Sequence, residues 1–163
     1  MSGNKESSVF DIPAEHRTFL LKKYNSRPKS SGRTQMLRYL NGEKLTRRQA
    51  ILAECFSCNG GIRDCITFTC PLFEVSTYRD KEFEMDAERI ERKERMIKDY
   101  EIKVASSSGK SQYLRYLKGK KLTYKQAVIA KCADCNGGYA DGRTNCGNIE
   151  CTLSPFMPYR RRT

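Results

Sequence analysis

Residues 30–61 read SSGRTQMLRYLNGEKLTRRQAILAECFSCNGG, and residues 107–138 read SSGKSQYLRYLKGKKLTYKQAVIAKCADCNGG. The two stretches lie 77 residues apart and agree at 20 of 32 positions. Such self-similarity marks a chain built by repetition of one unit. The match resumes past an insertion: Cys65 and Cys70 correspond to Cys146 and Cys151 at an offset of 81, as do Tyr78-Arg79 and Tyr159-Arg160. Upstream, Leu20-Leu21-Lys22-Lys23-Tyr24 resembles Met96-Ile97-Lys98-Asp99-Tyr100. The chain therefore divides into module one, residues 1–79, and module two, residues 80–163.

Within each unit the helix signals are specific. Thr46 with Gln49 and Thr123 with Gln126 have capping-box spacing, which satisfies two backbone donors at a helix start. Leu45 and Leu122 precede them, placed to staple against Ala50 and Ala127. Gly42 and Gly119 end the preceding helix. The expected helices fall near 33–41 and 47–55, and near 110–118 and 124–132. The stretch DAERIERKERMIKDYEIK, residues 86–103, is a further helix. Phe83, Ile90, Ile97 and Val104 recur every seven residues, but Asp86, Lys93 and Tyr100 fill the intermediate positions, so the coiled-coil signal is weak. A solvated helix bridging the modules is the favoured reading, and a dimer seam is the alternative. The fold class expected is mainly α, with small zinc-knuckle elements: two helix-turn-helix-like modules, each stapled by four cysteines.

Those cysteines are Cys55, Cys58, Cys65 and Cys70 in module one, and Cys132, Cys135, Cys146 and Cys151 in module two. CxxC lets two thiolates meet one ion from a tight turn, and the glycines that follow allow the chain to wrap round it. Four sulfurs in a tetrahedron suit Zn²⁺, and a closed thiolate shell leaves no position for catalysis. The spacer between the pairs is six residues in one copy and ten in the other, while the cysteines persist. Two structural zinc ions are thus expected, with an iron–sulfur cluster or disulfides as alternatives. The N-terminus MSGNKESSVFDIP has no apolar signal region, so a reducing compartment is the expectation. His16, the one histidine, lies far from both clusters and reads as an ordinary position on a helix after Pro13.

A chain of 163 residues with 38% apolar content and no Trp favours two small cores over one large one. The net charge is +12, and two Zn²⁺–thiolate sites at −2 each would bring it to about +8. A basic chain suits an acidic partner such as nucleic acid. By segment the net charge is +3 for residues 1–29, +3 for 30–73, −2 for 74–106 and +8 for 107–163. Arg38, Arg47, Arg48 and Arg63 in module one are candidate phosphate contacts, with Lys44 in the same turn. Arg115, Lys120, Lys121, Lys125, Arg143, Arg160, Arg161 and Arg162 are the candidates in module two. Arg38 stands where a standard helix-turn-helix needs a small residue, so that motif is not assigned. No membrane span and no small-molecule substrate are indicated. Asp134, Asp141 and Glu150 have no matching acids in module one, which offers Glu54 and Asp64, so no catalytic constellation is found and no enzyme is expected, a metal-dependent nuclease using Asp141 being the minor alternative.

The segment CADCNGGYADGRTNCGNIECTLSPFMPYR, residues 132–160, resembles small zinc-finger proteins of tailed bacteriophages and prophages, which run CxxCxG, DGRxxC and CPL ending in PYR. The resemblance spans about Gln112 to Arg160, and more loosely Gln35 to Arg79. Thr152 departs from it, whereas module one keeps Cys70-Pro71-Leu72 but lacks DGR. The resemblance implies a phage origin and a place in the cytoplasm of the bacterial host. Two functions are carried forward: non-enzymatic binding of nucleic acid, DNA first, in phage replication, packaging or transcription control; or docking on a bacterial host protein such as a polymerase or defence complex.

Overall fold

The structure is a computed structural model, described here over residues 12–135 and 147–157. It is mainly helical. The helices are α1 (Ala14–Asn25), α2 (Ser31–Leu40), α3 (Arg47–Asn59), α4 (Ala87–Lys103), α5 (Ser108–Leu117) and α6 (Tyr124–Cys135). Single 3₁₀ turns follow the cysteine segments at Phe73–Val75 and Ser154–Phe156. Among the described residues the one β feature is a parallel bridge between Cys65 and Arg79. Among them, too, no helix is long and apolar enough to cross a membrane.

The local signals act as expected. Ser30 and Ser107 hold extended backbone and accept hydrogen bonds from the N–H groups of Arg33 and Lys110, starting α2 and α5. Both helices end on glycines with positive φ, 83° at Gly42 and 77° at Gly119. Thr46 and Gln49 exchange bonds of 2.9 and 3.3 Å, and Thr123 and Gln126 repeat both distances. The upstream match is also a packing match. Leu20 and Tyr24 of α1 enter a cluster with Met36, Tyr39, Leu40 and Phe56. Met96 and Tyr100 of α4 pack on Tyr113, Tyr116, Leu117 and Ala130. Helix α4 thus lays a stripe on module two and buries none of its residues fully.

Two separate cores were the expectation; a third, shared cluster joins them. It gathers Ala50 and Ile51 of α3 with their equivalents Ala127 and Val128 of α6, and Leu72 with its equivalent Leu153. Chains this short gain burial by pooling their apolar faces, since a module of under 100 residues covers its core poorly alone. Small residues at 50 and 127, both fully buried, let α3 and α6 approach closely.

The candidate metal centres and the basic surface

Each cysteine segment is held by the opposite module. The Tyr39 hydroxyl of α2 is shared between the carbonyls of Ile149 and Cys151, at 3.0 and 2.9 Å. Reciprocally, Tyr116 of α5 donates to the Phe68 carbonyl at 2.6 Å and Tyr113 to the Thr69 carbonyl at 2.9 Å. Thr152, the residue that departs from the CPL pattern, is fully buried. Its hydroxyl donates to the Ala50 carbonyl at 2.8 Å and lies 3.2 Å from the Glu54 carboxylate, which also accepts from its N–H. His16 reaches module two as well, with Nε2 2.6 Å from the Glu150 carboxylate.

Thiols of the same module lie within electrostatic reach of one another. Burial pushes the Cys55 thiol up to about 12; a hydrogen bond with Ser76 opposes this, and Cys70 and Cys65 add to it. Burial likewise raises Cys70, opposed by Lys131 of the other module, and Cys58 is within electrostatic reach. Cys151 is raised by burial, then by Glu54 of module one, and further by Cys132 and Cys135. Burial works to lower Lys131, but Cys70, Cys135 and Asp134 outweigh it and raise this lysine. No disulfide joins the described cysteines, and Cys58 and Cys135 are exposed. No three His, Cys, Asp or Glu side chains among them converge as a metal cradle. Thiol donors are the type that suits a soft cation such as Zn²⁺.

Cys146 and Arg143 lie outside the described residues, as do Asp141 and the Arg160, Arg161, Arg162 run. Of the other cations singled out from sequence, Arg47, Arg48, Arg63, Arg115, Lys120, Lys121 and Lys125 are exposed. Arg38 is half-buried and pairs with Glu43 at 2.6 Å. Arg47 lies over the Phe156 ring of module two, 5.2 Å from its centroid, which gives it a contact between modules. Sequence reasoning did not find Tyr39, Glu54, Tyr113, Tyr116 and Thr152 as residues that hold the cysteine segments. The signals available were the substitution of Thr152 for Pro71 and of Lys131 for Glu54 at otherwise matched positions.

No protein-family model, curated protein or solved structure matches the chain.

Proposed function

We propose that this chain is a zinc-stapled, non-enzymatic nucleic-acid-binding protein of phage type, with DNA as its ligand in the bacterial cytoplasm. Cys55, Cys58, Cys65 and Cys70 would hold one Zn²⁺, and Cys132, Cys135, Cys146 and Cys151 the other. The metal would cross-link segments that carry little core of their own, and no open coordination position would remain for a reaction. The two modules are helix-turn-helix-like in outline.

The observation that carries the reading is a repeated exposed basic turn. Lys44, Arg47 and Arg48 in one module, and Lys120, Lys121 and Lys125 in the other, are exposed at the start of identically capped helices. The positive end of each helix dipole adds to these charges, which suits phosphate. The test is binding to labelled duplex across a salt series. Affinity is expected to fall steeply with salt, because phosphate contacts release counterions. No binding at low salt refutes the reading. A protein partner captured from nuclease-treated lysate and mapped to these same turns would favour docking on a host protein instead.

A further inference from the structure

The surface of α2 that faces away from α3 is a groove lined by Lys29, Ser30, Arg33, Thr34, Leu37, Arg38 and Asn41. These residues hold three cations and no acid. From Ser30 to Asn41 they follow the spacing of one helix face. We infer that this groove of module one seats the phosphodiester backbone beside the basic turn, an inference that rests on the nucleic-acid reading above.

Two features make the groove distinctive. The first is what packing removes. In a helix-turn-helix the second helix reads the nucleic acid. Here α3 turns Ala50, Ile51 and Ala53 into the cores, accepts Thr152 at Glu54, and sets Arg47 on Phe156. Beyond the exposed turn of Lys44, Arg47 and Arg48 at the start of α3, the cationic face that stays open along a helix belongs to α2. The second feature is a difference between the repeats. Arg33 donates to the Tyr24 carbonyl at 3.1 Å and to the Asn25 carbonyl at 2.9 Å, which fixes the α1–α2 corner beside Lys29. Lys110 does the same job in module two, donating to the carbonyls of Glu101 and Val104. But the residue matching Asn25 is Glu101, whose carboxylate sits 2.6 Å from Lys118. Ser106 replaces Lys29 there. Each face thus carries one ion-paired acid, Glu101 at the corner of module two and Glu43 at the far end in module one, and the corner of module one adds Lys29. Arg38 spends one face on Glu43, an exposed pair that a phosphate can displace at little cost.

The experiment compares Lys29→Gln with Ser106→Glu in the full chain. The two variants change net charge equally at repeat-equivalent positions. Binding is read by fluorescence anisotropy on a short labelled DNA duplex and a single strand of the same length, with folding checked by circular dichroism. Lys29→Gln is expected to weaken binding, and Ser106→Glu to leave it near the wild type. Lys29→Gln with Arg38→Gln should cost roughly tenfold or more and reduce the log–log salt slope by about two. Equal losses from Lys29→Gln and Ser106→Glu, with the wild type binding, overturn the groove and leave the nucleic-acid reading standing. No binding by the wild type overturns both. Displacement by polyglutamate as readily as by unlabelled DNA also overturns the inference, since the groove would then answer to acid and not to the phosphodiester backbone.

Discussion

Tyr39 in the first repeat donates its hydroxyl to the backbone carbonyl of Cys151 in the second, at 2.9 Å. The repeat answers with Tyr116, which donates to the carbonyl of Phe68 in the first. Both rings are buried, which partly shields the two bonds from water. The two modules are consequently clasped, each helix pair closing over the other's cysteine segment.

Tyr39→Phe and Tyr116→Phe keep the rings and remove only the hydroxyls. Each is expected to cost about 1 kcal/mol, the net worth of one hydrogen bond, since the Cys151 carbonyl keeps the N–H of Ser154. The double variant should cost close to the sum if the clasps act independently, and depart from it if the shared core couples them. Urea unfolding at matched slope measures both. Two variants as stable as the wild type would mean that the clasp contributes nothing.

Gly32 lies within α2, where glycine is otherwise unfavourable. A Cβ there would collide with the Tyr78 hydroxyl and meet the Phe56 Cβ at 2.6 Å and the Leu52 carbonyl at 2.8 Å. The last two are not flexible tips, so the helices must part. Gly32→Ala is expected to destabilise by about 1–3 kcal/mol despite its better helix propensity. A raised melting temperature in this variant would show that the α2–α3 contact is looser than described.

Much of the local structure could be read from the sequence, because caps and glycine stops act over four or five residues. Thr46 with Gln49, and Gly42 after Asn41, fix their helix ends whatever else the chain does. The upstream extension of the repeat was readable too, since Leu20 and Met96 pack alike in their own clusters. The exchange of partners was not. A repeat looks the same in sequence whether its tyrosine bonds its own cysteine segment or its neighbour's. Arg47 shows the same limit: charge suggested a phosphate contact, and only the position of Phe156 reveals a second use. Glu54 and Lys131, unlike residues at matched positions, were the visible trace of an interface that treats the two sides differently.

Glu101 is held below the usual carboxylate range, first by its hydrogen bond from Lys118 and then by that residue's charge, with Lys110 adding to it. A lowered carboxylate pKa in the folded state gives stability that is present above the unfolded pKa and lost as pH falls through the folded one. Lys118→Ala should therefore return Glu101 towards its ordinary value and remove this acid-side dependence. Carbon-detected NMR titration of the Glu101 carboxyl reads the change directly. An unmoved titration would place Lys118 elsewhere in solution.

Metal removal probes the cysteine segments and their clasp together. With Zn²⁺ bound, native mass spectrometry is expected to give two ions per chain, and Cys70→Ser to give a single tightly held one. A structural Zn²⁺ supplies on the order of 10 kcal/mol to a small fold. Chelation should accordingly remove helical signal cooperatively. Because Tyr113 and Tyr116 hold the segment carrying Cys70, Cys70→Ser should also loosen amides in α5, which lies in the other module. Hydrogen exchange on the Zn²⁺-loaded variant tests this: faster exchange confined to residues 47–79 would mean that the modules fold apart. Full helicity retained after exhaustive chelation would instead remove zinc as the staple.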